Sequence, residues 1–136
     1  MIPLTPCEKV LSTRGEIPGR VLIIDEEPLV RWSLVSGLAL AGFEARGASS
    51  AAEALEIARE TPPPDIVLLD LRFYDADPRA LVDEIRRAAP SCRLILLTTA
   101  GQEAPLPPWD RVAIITKPYD LPNVEKLVRA TLESAA

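Results

Sequence analysis

Residues 67–81 read VLLDLRFYDADPRAL. The apolar run that ends here begins at Ile66 and stops at Asp70, with no polar residue inside it. A strand that shows one face to water alternates apolar with polar, whereas an unbroken run means cover on both faces, as parallel sheets have. Past the aspartate comes a loop, then Asp77-Pro78, which reads as an N-cap followed by proline at the first helical position. Leu81, Ile85 and Ala88 follow at helical spacing. A buried strand, an acid at its carboxyl end, a loop and an amphipathic helix together form one repeating unit of an α/β fold.

The same unit recurs along the chain. Val21–Ile24, Leu94–Leu97 and Val112–Ile115 are further unbroken runs, and Phe43–Arg46 alternates as an edge strand would. Val30, Leu34, Leu38 and Ala41 mark a helix that Gly42 stops. Ser50 and Glu53 have capping-box spacing ahead of Ala54, Leu55 and Ala58, and Leu121, Val124, Val128 and Leu132 mark the last helix. Strands alternating with helices predict a doubly wound, five-stranded parallel α/β sheet. One connection breaks the rhythm. Residues 99–111, TAGQEAPLPPWDR, hold three prolines where the fourth crossover helix belongs. Each proline costs about 3 kcal/mol inside a helix, so that helix is expected to be short or missing.

Residues 1–19, with three prolines, two glycines and no clear period, are expected to be an extension outside a domain spanning 20–136. The 136 residues suit one domain, and 48% hydrophobic with only 4% aromatic residues predicts an aliphatic core. A net charge of −5 argues against direct contact with nucleic acid. Two cysteines, Cys7 and Cys92, without any histidine make neither a disulfide framework nor a metal site, and Cys92 reads as a small core residue. With no apolar stretch of spanning length and no signal-peptide pattern, no membrane contact and a cytoplasmic setting are expected.

Each buried run ends in polar residues: Asp25-Glu26 after the first, Asp70, Thr98, and Thr116-Lys117 after the last. Sites of open α/β sheets lie at the carboxyl ends of strands. Asp25 and Glu26 alone would equally serve to cap a helix, and Lys117 alone would read as a solvated surface lysine. Together these ends bring acids, a hydroxyl and an ammonium into one crevice. Crowded carboxylates repel one another unless a cation neutralises them, and Mg²⁺ suits an all-oxygen set better than zinc. With such a cation present, Asp70 is placed to act as a nucleophile towards phosphorus, with Thr98 and Lys117 neutralising the transferred oxygens.

In this order and spacing VLIIDEEPLVR, DIVLLDLR, LILLTTAG and ITKPYDL resemble the receiver domain of two-component response regulators, and PLVRWSL resembles receivers of enhancer-binding transcription activators. The resemblance implies a flavodoxin-like strand order 2-1-3-4-5. It makes Asp70 the acceptor of phosphoryl from a sensor histidine kinase or phosphotransfer protein. Mg²⁺ would be held by Asp25, Glu26, Asp70 and the backbone carbonyl of Arg72, and the phosphoryl oxygens by Thr98 and Lys117. It further implies a downstream protein target, with homodimerisation as one option. The chain departs from the pattern at Glu26, Phe73, Tyr74, Pro78, Thr99 and Ile114. An alternative is therefore a pseudo-receiver that binds protein without phosphorylation. Leu106 and Trp109 would then be partner contacts, although Trp109 would as readily cover core exposed by a missing helix. Arg72 stands where an aspartyl-phosphate phosphatase has its second acid, and no glycine-rich loop follows the first strand, so the chain is expected not to be an enzyme.

Overall fold

The computed structural model describes residues 19–71, 77–99, 112–117 and 120–133, with Thr99 and Lys117 described by their backbone alone. Five strands, β1 (Arg20–Ile24), β2 (Glu44–Ala48), β3 (Ile66–Asp70), β4 (Arg93–Thr99) and β5 (Val112–Lys117), pair in parallel in the order β2-β1-β3-β4-β5. Four helices are described: α1 (Pro28–Leu40), α2 (Ala51–Ala58), α3 (Pro78–Ala88) and α4 (Leu121–Glu133). The expected strand order is the one observed. Residues 1–18 and 100–111, and with them the expectations for the extension and the fourth crossover, lie outside the described residues.

The period of two in each strand divides the core into two layers. Leu22, Ile24, Val67, Leu69, Leu94 and Leu96 pack against Ala54, Ile57 and Ala58 of α2 and Leu81, Val82 and Ile85 of α3. Val21, Ile23, Ile66, Leu68, Ile95 and Leu97 pack against Leu34 and Leu38 of α1 and Val124 and Val128 of α4. β1 and β3 lie inside the sheet with helices on both faces, which is why Val21–Ile24 and Ile66–Leu69 admit no polar residue. Cys92 is buried in the first layer, as a core residue would be.

Local signals resolve with small corrections. Ser50 Oγ accepts the Glu53 N–H at 3.1 Å, but the Glu53 carboxylate takes the N–H of Ser49, one residue before the cap itself. Asp77 holds the N-cap position of α3 without a side-chain cap bond, and Pro78 follows at N1 as expected. Gly42 adopts φ 103° just past α1, a left-handed conformation that favours glycine. Phe43, expected as the first residue of the edge strand, instead precedes β2 and is buried beneath the Arg129 guanidinium, 4.9 Å from its ring. β5 is less covered than its apolar run predicts, because it is an edge strand: Ile114 is 47% exposed. Among the described residues no helix is long and apolar enough to cross a membrane.

Candidate functional site

β1 and β3 are neighbours with Ile24 opposite Leu69, so their next residues, Asp25 and Asp70, leave adjacent strand ends. Paired strands run about 4.8 Å apart, and these two carboxylates therefore emerge side by side. Both are buried, Asp25 at 0% and Asp70 at 5% exposure, and they are the buried acids among the described residues. Burying an ionised carboxylate is expensive unless something compensates the charge. Glu26 is half-buried at the following position.

The β1–α1 corner fixes Asp25 closely. Its N–H donates to the Ala48 carbonyl at 3.3 Å, and its Oδ1 accepts the Glu27 N–H at 2.9 Å. Glu27 is itself the N-cap of α1, without a side-chain hydrogen bond, and Pro28 supplies no N–H. The Asp25 carboxylate thus closes the turn into α1 through its bond to the Glu27 N–H. Arg31, one turn into α1, donates from Nη1 to the Asp25 carbonyl at 2.7 Å.

Thr98 and Thr116 face each other across the β4–β5 ladder, and the Thr98 hydroxyl donates to Thr116 Oγ1 at 3.4 Å. Asp70 pairs with Leu97, so Thr98 lies one residue beyond it and belongs to the opposite alternation, the one facing α2 and α3. The acid pair and the threonine pair therefore approach over the strand ends, from the two sides of the sheet. Lys117 closes β5 opposite Thr99. Arg72, Phe73, Tyr74, Leu106 and Trp109 lie outside the described residues.

This donor set suits a hard cation. Two aspartates without histidine or cysteine match Mg²⁺, which is usually held by one or two carboxylates and keeps several waters. Among the described residues no group of three His, Cys, Asp or Glu side chains forms a ready-made metal cage. Sequence reasoning missed Arg31 and the partnership of Thr116 with Thr98. The available signal for Arg31 was Gly47, since glycine within a strand often marks a close approach.

The model of the response regulator receiver domain matches residues 21–129. The chain belongs to that family. This receiver is similar to the sensor kinase CckA of Brucella abortus, 28% identical over 96% of this chain and 14% of the kinase. It is also similar to the regulatory protein AtoC of Escherichia coli, 32% identical over 84% of this chain and 25% of AtoC, in keeping with the likeness to enhancer-binding activators. Among solved structures, the receiver domain of the hybrid histidine kinase CckA superposes with a TM-score of 0.72 at 25% identity, covering 84% of this chain and 99% of that domain. The chain thus spans a quarter or less of these two curated relatives. One expectation is corrected here. The match classes the chain by a group transfer in which receivers are acceptors, and that neither requires nor excludes catalysis, so the exclusion of enzymatic activity does not stand.

Proposed function

We propose that this receiver takes phosphoryl from a phosphohistidine donor onto a carboxylate oxygen of Asp70. The observation that carries the reading is the pair of buried aspartates at the adjacent ends of β1 and β3. In the transfer an O–P bond forms at Asp70 as the N–P bond of the donor breaks, and the histidine nitrogen keeps the electron pair. Asp25 and Asp70, with Glu26 and the Arg72 carbonyl as further oxygen donors, hold Mg²⁺, which supplies positive charge against the developing negative charge. Asp70 acts as the nucleophile, and Asp25 keeps that charge close by. The Thr98 hydroxyl exchanges Thr116 for a phosphoryl oxygen, and Lys117 takes another. The new group adds roughly two negative charges and three acceptor oxygens, enough to redraw the hydrogen bonds at the ends of β4 and β5.

The partners follow from the same chemistry. A protein donor must bring its phosphorus to within bonding distance of Asp70, so it docks beside the β1–α1 corner. Leu29 and Trp32, 79% and 67% exposed in the first turns of α1, offer an apolar footing there. A sensor kinase or phosphotransfer protein is the donor, and a downstream protein target reads the result.

The test is intact mass after incubation with Mg²⁺ and acetyl phosphate. A single phosphoryl adduct is expected in wild type and none in Asp70→Asn. Labelling that persists in Asp70→Asn removes Asp70 from the role. A folded wild type without an adduct makes the protein a phosphorylation-independent binding module instead.

A further inference from the structure

We infer that Arg31 is a positioning residue for the acid pair, an inference that rests in part on the metal site proposed above. Asp25 is tied at three atoms, its N–H by Ala48, its carboxylate by the Glu27 N–H and its carbonyl by Arg31 Nη1. Arg31 is the side chain among these three ties; the other two partners are backbone groups. The guanidinium spans from α1 to the last turn of backbone before the helix begins, and so sets the angle at which Asp25 leaves β1.

A second, independent observation concerns the arginine's stem. A Cβ at Gly47 would lie 2.9 Å from Arg31 Cγ, 3.0 Å from its Cδ and 3.2 Å from Val35 Cγ2. Gly47 stands inside β2 opposite Ile23, where a side chain would ordinarily strengthen the strand. Its absence leaves a slot along which the stem lies before the guanidinium reaches Asp25. Helix, strand and glycine are thus arranged around one hydrogen bond.

The electrostatics make the inference testable, because two effects of Arg31 oppose each other. Its positive charge, held at the Asp25 backbone, repels a cation in the site. Its hydrogen bond to the Asp25 carbonyl fixes the backbone from which the carboxylate reaches a cation. If charge dominated, removing the arginine would tighten Mg²⁺ binding. The positioning role requires the reverse, and loss of a partner that orients a metal ligand typically weakens metal affinity about tenfold to a hundredfold.

The experiment is calorimetric titration of wild type, Arg31→Met, Gly47→Ala and the double variant with Mg²⁺, each first shown to unfold cooperatively in urea. Affinity is expected to fall about tenfold in Arg31→Met, although a positive charge has been removed. Gly47→Ala, which displaces the stem, is expected to fall in the same direction, and the double variant to lose little more than Arg31→Met alone. Unchanged or tighter binding in Arg31→Met overturns the inference. Amide hydrogen exchange without metal gives a separate reading: the Glu27 N–H, which bonds the Asp25 carboxylate, should exchange faster in Arg31→Met while Leu68 in the core does not. If wild type binds no Mg²⁺ yet Glu27 responds, the metal site fails and the positioning role stands. If Glu27 does not respond, the positioning role fails whatever the metal does.

Discussion

Acidic side chains meet two different fates in this molecule. At the carboxyl ends of β1 and β3, Asp25 and Asp70 are almost wholly removed from water. Along the edge strand β2, Glu44 pairs with Arg20 at 2.5 Å and Glu60 pairs with Arg46, their carboxylate side chains 57% and 40% exposed. The edge acids are cheap to keep: an exposed ion pair contributes about 0–1 kcal/mol, and charges on an edge discourage pairing with another chain. The central acids are expensive, since effective desolvation of each ionised group costs several kcal/mol even after relaxation. A fold does not need two carboxylates at its most buried strand ends. Their burial is therefore the mark of a site, and exposure with an arginine partner is the mark of structure.

The largest expected effect sharpens that division through the cation. A ligand that binds the native state alone stabilises it by about 2.7 kcal/mol at one hundred times its dissociation constant. Saturating Mg²⁺ should raise the urea midpoint of wild type accordingly, and chelation should return it. Glu44→Gln should leave the shift intact, whereas Asp70→Asn should abolish most of it. An equal shift in Asp70→Asn would place the cation elsewhere and break the comparison.

Removing one central acid in metal-free buffer is the next test. Two neighbouring buried carboxylates repel, so Asp70→Asn, close in shape and able to hydrogen-bond, should stabilise the fold by about 1 kcal/mol while destroying phosphoryl acceptance. Gain of stability with loss of function is the signature of a strained site. A loss of stability on this substitution would instead give the central acids the same structural duty as the edge acids.

Much of this was legible in the chain, and the reason is periodicity. Four unbroken apolar runs require parallel strands, and the residues that end them locate Asp25 and Asp70. An apolar run does not say whether its strand lies inside a sheet or at the edge, and Ile114 of β5 is half exposed for that reason. Phe43 was assigned to β2 by alternation, yet it serves as a plug under Arg129, which also donates to the Ala41 carbonyl. For Arg31 the sequence offers only the indirect signal of Gly47 within a strand. Its contact joins a helix turn to the end of the preceding strand through a slot that a third segment leaves open, and no short-range pattern encodes such an arrangement. Strand ends alone do not name the partner of Thr98, which register makes Thr116, on the alternation opposite to Asp70.

The smallest effect tests the edge. The hydrogen bond from Arg46 is the main cause that holds the Glu60 carboxyl below its ordinary range, with the arginine's charge adding to it, and the same pairing raises the Arg46 guanidinium further. A carboxyl whose pKa is depressed by folding contributes stability that is present above its unfolded pKa and lost as pH falls through the folded one. Urea midpoints of wild type and Glu60→Gln should therefore differ slightly at neutral pH and converge below the ordinary carboxylate range. Added salt should shrink the difference at neutral pH, because the pair is exposed to solvent. A difference that stays constant through the acid range would mean that the glutamate acts through its aliphatic stem, packed on the edge, and not through its charge. Phosphoryl acceptance should be the same in both proteins throughout, since Glu60 bonds Arg46, whereas the β2 residues that meet Asp25 and Arg31 are Ala48 and Gly47.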